Sequence, residues 1–235
     1  MIYTEFEDNS KNIHQMGGLK MGKNNYSDCC NYVNPVNGAR PFKTPAEIIT
    51  KPYVLNLLKE KPKANFLEIG AGALRNTLFL QEKGFSVDVF EVKGIEKRFP
   101  EQYKLFMGRS NGNVYYKFPV DRTYDFILCT FVIETICNPE QRTYLLVSSL
   151  KVLKPKGILL ISVRGPKDLV TGTKSGIPCS DGFLTPGYSF SRSYTPKQLR
   201  ELLASCEYNH VKLLHKESTK EPEYLHALAS KSGIL

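Results

Sequence analysis

Apolar and polar positions divide the chain into three textures. Up to residue 43 the sequence is rich in Asn, Gly and Lys and shows no hydrophobic period. At Thr44 a helix start is written out. Thr44 can cap, Pro45 suits the first helical position, Glu47 completes a capping box, and Ile48, Ile49, Leu55 and Leu58 supply an apolar face. Pro52 must kink or split that helix. From Ala64 the pattern becomes strand, glycine turn, helix, strand. Residues 66–69 are a short apolar run ending at Gly70 and Gly72, residues 77–81 read as helix, and residues 85–92 alternate. Residues 124–129 form another buried-type strand. Asn138 and Pro139 open a helix with Leu146, Leu150 and Leu153 on one face, and Lys154, Pro155, Lys156 and Gly157 terminate it. Residues 158–163 are a nearly continuous apolar run, of the kind covered on both faces. This alternation predicts an α/β fold, doubly wound around a mostly parallel sheet, with residues 114–116 as its third strand.

Residues 165–194 lack a period and are dense in Gly and Pro, which predicts a long loop insertion after strand five. Tyr188, Phe190, Arg192 and Tyr194 within it are candidates for a substrate lid. Thr195, Pro196 and Gln198 repeat the capping box, Leu199, Leu202, Leu203 and Cys206 trace a helical stripe, and residues 211–214 and 224–229 read as an antiparallel closing pair. The expected organisation is an N-terminal helical flap and lead-in over 1–63, then the main domain over 64–235. Tyr26, Tyr32 and Arg40 are placed to fold over a ligand.

Composition narrows the class. With 41% hydrophobic and 23% charged residues among 235, fibrous and wholly disordered chains are excluded. No stretch approaches the ~20 apolar residues of a membrane span, so no membrane partner is expected. Glu5, Glu7 and Asp8 precede no apolar run, so a secretory leader is not expected and the protein reads as cytoplasmic. Six cysteines with no CxxC pair, two of them adjacent at Cys29 and Cys30, fit neither a disulfide framework nor a usual metal spacing. They read as reduced thiols, with no metal site. The net charge of +9 divides evenly, +3 in each of residues 1–64, 65–163 and 164–235. An even spread is weaker evidence for nucleic acid than one basic stripe, and a nucleic-acid partner stays possible. Oligomeric state is not legible.

The informative segment is FLEIGAGAL at 66–74. Glycines at the end of a strand let a ligand approach the backbone closely, although a single Gly-x-Gly also serves ordinary left-handed turns. Glu68 lies inside the strand, where a buried carboxylate is costly unless it meets a cation or several donors. Glu91 ends the next strand, where a carboxylate can accept both hydroxyls of a ribose. A nucleoside with a cationic tail fits both acids.

From Phe66 to Val163 the sequence resembles the class I S-adenosylmethionine-dependent methyltransferases. Glu68, Gly70 and Gly72 are similar to that family's first motif, which implies Glu68 near the methionine part of the cofactor. Glu91 is similar to its ribose-binding acid. YDFILCTFVIETI at 124–136 resembles the fourth strand and its turn, implying that Cys129 and Thr130 border the methionyl group. LKVLKPKGILLISV at 150–163 resembles the hairpin before strand five. The resemblance implies a Rossmann-like fold, S-adenosylmethionine as cofactor and 64–235 as the domain that binds it. Departures are Leu74 in place of the third glycine, Lys156 in place of the hairpin's first glycine, and Thr135 where many members carry a histidine. Glu134, just beyond strand four, is then the candidate general base.

The long aromatic loop and dispersed charge favour a small-molecule acceptor. RNA or protein methylation, or a non-catalytic cofactor-binding subunit, are the alternatives. A dinucleotide oxidoreductase would place a third glycine where Arg75 stands. A DNA amino-methyltransferase would carry Asn or Asp, two prolines and an aromatic where Thr130, Phe131, Val132 and Ile133 stand.

Overall fold

A computed structural model describes residues 28–167, 176–214 and 222–233. Tyr26, the rest of the expected flap before residue 28, and part of the insertion lie outside them. The elements run α1 (Glu47–Thr50), α2 (Pro52–Glu60), β1 (Asn65–Ile69), α3 (Arg75–Glu82), β2 (Ser86–Phe90), α4 (Ile95–Arg98), α5 (Pro100–Gly108), β3 (Val114–Tyr115), β4 (Tyr124–Thr130), α6 (Pro139–Val152), β5 (Leu153–Arg164), β6 (Ile177–Cys179), β7 (Gly182–Leu184), β8 (Phe190–Ser191), α7 (Pro196–Ser205), β9 (His210–Leu213) and β10 (Tyr224–Ser230).

Seven strands form one sheet in the order β3-β2-β1-β4-β5-β10-β9. The first five are parallel, and β10 runs antiparallel to both β5 and β9. The chain first moves outward from β1 through β2 to β3, then returns to β4 on the other side of β1. The ends of β1 and β4 therefore flank the point where the winding reverses, which is where open α/β sheets leave a crevice.

Strand alternation divides the core. Leu67, Ile69, Ile127, Leu159 and Ile161 pack under α6 and α7, while Phe66, Phe126, Leu128, Ile158 and Leu160 pack against α1, α2 and α3. Phe66 and Phe126 stack at 5.0 Å across the β1–β4 pair. Leu128 and Leu160 are buried, each burial stabilising by roughly 1.5–3 kcal/mol. The register Glu68↔Leu128, Ile69↔Cys129 and Thr130↔Ser162 brings the polar strand ends to one level.

Asn138 caps α6 by accepting the N–H groups of Glu140 and Gln141, and Thr195 with Gln198 forms a reciprocal capping box on α7. Pro52 splits the first helix, becoming the opening residue of α2. Three expectations are corrected. Thr44 does not cap α1. Ala46 takes that position in extended backbone, and its N–H donates to Asn76 Oδ1 at 2.7 Å, so a tertiary acceptor replaces the local one. Lys154, Pro155, Lys156 and Gly157 do not stand apart as a terminator, because β5 begins at Leu153 directly after α6. The insertion is also more than a loop. β6, β7 and β8 form a small antiparallel sheet. No helix among the described residues is long and apolar enough to cross a membrane.

Candidate active site

A cavity of about 980 Å³ opens at the carboxyl ends of β1, β2, β4 and β5. Its floor is the turn after β1. Gly70 and Gly72 have φ of +63° and +54°, conformations that cost an L side chain about 1–2 kcal/mol. At Gly70 a Cβ would also meet Val132 Cγ2 at 2.6 Å, so the turn after β4 packs directly on the glycine. Leu74, where a third glycine was expected, is itself left-handed at φ 60° and fully buried at the start of α3. The turn keeps its shape without that glycine because the Leu74 side chain is anchored among Ala71, Ala73, Ile95 and Phe99.

Two buried carboxylates flank the turn. Glu68 accepts from Asn76 Nδ2 at 2.7 Å and from the Thr77 hydroxyl. Burial pushes its carboxyl up to about 7, against the opposing pull of Thr77, Asn76 and the Arg75 charge. Glu91 accepts the Gly72 N–H at 2.8 Å and the Val92 N–H at 2.9 Å. Burial likewise pushes it up to about 7, offset by those amides and reinforced by the negative charges of Glu68 and Glu96. Both acids border the cavity, so a cationic or hydroxyl-rich ligand there would meet ready acceptors.

Asn76 ties the site together. Its Nδ2 donates to Glu68 and to Thr130 Oγ1 (3.0 Å), while its Oδ1 holds the start of α1. Beyond β4, Phe131 is left-handed at φ 60° and packs edge-on against Tyr224 at 5.2 Å. Across β5 and β10, His226 Nδ1 lies 2.8 Å from Ser162 Oγ, and its Nε2 lies 3.4 Å from Glu47 Oε2. The Lys51 ammonium, with His226 adding to it, holds the Glu47 carboxyl below its usual range. His226, Glu47, Arg164 and Tyr224 all line this half of the cavity.

Residues 28–44 form the roof. Val33, Pro35, Ala39, Arg40 and Phe42 face the cavity. Arg98 donates to the Val36 carbonyl at 2.6 Å, and the Asn34 N–H donates to the Tyr188 carbonyl at 2.8 Å. Arg75 donates to the Thr44 carbonyl and lies over the Phe42 ring at 5.0 Å.

Of the residues singled out in the sequence, Glu68, Gly70, Gly72, Glu91, Thr130 and Arg40 border the cavity. Cys129 is buried behind it, its thiol raised by burial. Glu134 is also fully buried and is not part of the cavity wall, its carbonyl accepting the Arg192 N–H. Tyr188, Phe190, Arg192 and Tyr194 do not line it either. Phe190 and Tyr194 are core residues, Arg192 pairs with Asp181 and lies over the Tyr194 ring, and Tyr188 lends its backbone to Asn34. They build the support of the roof. The reading of Cys29, Cys30, Cys137 and Cys179 as separate reduced thiols is overturned: they pair as Cys29–Cys179 and Cys30–Cys137. Tyr32 packs beside them. Asn76, Glu47, Arg164 and His226 were missed. Only His226 had a signal, as an imidazole inside an apolar strand.

A family model described as a methyltransferase domain matches residues 45–221, more than half of the chain. No curated protein sequence matches significantly. Among solved structures, an S-adenosylmethionine-dependent methyltransferase from Clostridium acetobutylicum superimposes with TM-score 0.58 at 13% identity, over 77% of this chain and 90% of that one. The 1,6-didemethyltoxoflavin-N1-methyltransferase of Burkholderia thailandensis, bound to 1,6-didemethyltoxoflavin and S-adenosylhomocysteine, gives 0.57 at 20% identity over 78% of each chain. The CcbJ methyltransferase of Streptomyces caelestis gives 0.57 at 11% identity, over 84% of this chain and 92% of that one. The protein belongs to the methyltransferase-domain family, and its sheet is the Rossmann-like α/β fold of S-adenosylmethionine-dependent methyltransferases.

Proposed function

We propose that the protein transfers the methyl group of S-adenosylmethionine to a small-molecule acceptor in the cytoplasm, with 64–235 as the catalytic domain and 1–63 as its flap. The observation that carries this reading is the pair of buried carboxylates, Glu68 and Glu91, on either side of the Gly70–Gly72 turn in one roofed cavity. The cofactor supplies an already activated methyl on a sulfonium, so the chain has to position two ligands and exclude water. Gly70 and Gly72 let the backbone approach closely. Glu91 takes the ribose hydroxyls, and Glu68, ionised, balances the ammonium of the methionyl group beside Thr130.

The acceptor half is formed by Phe42, Glu47, Arg164, Tyr224 and His226. His226, oriented by Ser162 and Glu47, is better placed than Glu134 to take a proton there, because it borders the cavity and Glu134 does not. The cavity volume falls within the roughly 300–1,000 Å³ of small-molecule sites. The similar Burkholderia structure holds 1,6-didemethyltoxoflavin together with S-adenosylhomocysteine, which supports this reading.

The test is S-adenosylhomocysteine production against a panel of small hydroxyl, amine and heterocyclic acceptors, with RNA and protein alongside. Turnover confined to small molecules and insensitive to salt supports the reading. Turnover on RNA with steep salt dependence would replace it with the nucleic-acid alternative.

A further inference from the structure

Four cysteines, two of which (Cys30 and Cys137) line the edge of the cavity, converge on one point. The sulfurs of Cys29, Cys30, Cys137 and Cys179 all lie within 4.8 Å of one another, and Cys137 and Cys179, which belong to different bridges, approach to 3.5 Å. Two separate cross-links have no need to meet. Four thiolates on one ion do, because a tetrahedral zinc site with Zn–S bonds of about 2.3 Å spaces its sulfurs about 3.8 Å apart. We propose that Cys29, Cys30, Cys137 and Cys179 are the ligands of a closed, structural zinc tetrathiolate, and that the paired disulfides are its oxidised, metal-free form.

Three further observations support the assignment. Cys29 and Cys30 are adjacent in one short 3-10 turn, yet each reaches a different partner at the same cluster, which is what two ligands of one ion must do. Cys29, Cys137 and Cys179 are buried and Cys30 is half-buried at the edge of the cavity, and four sulfur donors fill a tetrahedral ion's coordination, which suits a structural ion. The segment that carries Cys179 is also held in place independently of the sulfurs, because Arg142 and Arg192 both bind Asp181 in the turn after it.

Placement gives the ion a purpose. The cysteines come from the N-terminal roof, the loop before α6 and the end of β6. The β6-β7-β8 sheet has strands of two or three residues, too short to hold itself together without an added staple. The zinc fastens that sheet to the roof of the cavity. In a reducing compartment such cysteine clusters hold metals more often than cross-links.

Interconversion balances as follows. Two dithiol reductants each give two electrons and two protons to one disulfide, becoming disulfides themselves. The four resulting thiols lose four protons as Zn²⁺ binds, and zinc keeps its oxidation state. In the reverse direction two equivalents of a disulfide or peroxide oxidant each take two electrons from a pair of thiolates and two protons from solvent, becoming two thiols or two waters, as the two protein disulfides form and the ion leaves.

The experiment uses the full chain, purified under reducing, oxygen-free conditions from zinc-supplemented cells. Elemental analysis should give one zinc per chain. After reduction and exchange, Co²⁺ should bind with the sulfur-to-metal charge-transfer and intense d–d bands of a tetrahedral thiolate site. Oxidation with diamide should release the zinc and lower the mass by four hydrogens. Cys179→Ser and Cys30→Ser should abolish the Co²⁺ spectrum, and Cys206→Ser should retain it. If the serine variants fail to fold, the wild-type Co²⁺ spectrum alone decides. Folded, reduced protein that binds neither metal would overturn the proposal. So would cysteines that stay paired in protein taken from a reducing cytosol, or a Co²⁺ spectrum unchanged in both variants.

Discussion

The floor and the roof of the cavity are built by opposite means. The floor is local. Glu68, Gly70, Gly72 and Glu91 are set by two adjacent strands and a turn whose backbone conformations nearly dictate their residues. The roof, residues 28–44, has only two short 3-10 turns, Asp28–Tyr32 and Pro35–Gly38, and is held from outside by Arg75, Arg98, the carbonyls of Gly187 and Tyr188, and cysteine links separated by 107 and 150 residues in sequence. Breaking the roof should therefore loosen the site while leaving the sheet folded. Breaking the floor should abolish binding wherever the roof lies.

The largest expected effect is on the roof. Cys29→Ser with Cys179→Ser should cost about 2–5 kcal/mol of stability. It should also expose residues near 28–44 to limited proteolysis while the circular dichroism of the sheet persists. Loss of the sheet together with the roof would show that the two are not separable. Next, Gly70→Ala combines an unfavourable φ with a Cβ pressed on Val132 and should cost about 2–4 kcal/mol, read by denaturant melts. Unchanged stability would mean that Val132 moves aside freely. Asn76→Ala leaves Glu68, Thr130 and the Ala46 N–H each short of a partner and should cost about 1–3 kcal/mol. Because Asn76 spans floor and α1, it should also weaken S-adenosylhomocysteine binding, by calorimetry.

The smallest effect is that of pH on ligand binding. Glu68 and Glu91 have native pKa values of about 7 against an ordinary 4.5. Between about pH 4.5 and 7 the native state holds more protons than the unfolded one, so stability of the ligand-free protein falls as pH rises through that window. Binding of a cationic ligand runs the other way and should strengthen several-fold between about pH 6 and 7.5, as Glu68 ionises. A flat profile would mean that Glu68 does not face the ligand's charge.

The same contrast explains what could be read in the sequence. Capping signals at Asn138 and Thr195, the glycine turn and the apolar run of β5 act over a few residues, so pattern alone locates them. Thr44 misled because Asn76, thirty residues beyond Ala46, supplies the acceptor instead. Phe190 and Tyr194 resembled a lid because aromatic residues in an aperiodic segment look the same whether they cover a ligand or fill a core. His226 reaches the cavity only through β10 pairing with β5, and the cysteine cluster only through three distant segments, so neither carries a spacing that could be recognised.

The central claim is that Glu91 and Glu68 hold S-adenosylmethionine over the Gly70–Gly72 turn. Calorimetric titration of S-adenosylhomocysteine into the wild type and Glu91→Ala, with NAD as control, tests it most directly. Saturable wild-type binding, no response to NAD, and a loss of about tenfold or more in the variant, equivalent to about 1.4 kcal/mol, are predicted. Equal affinity in Glu91→Ala, or binding of NAD in preference, would contradict it.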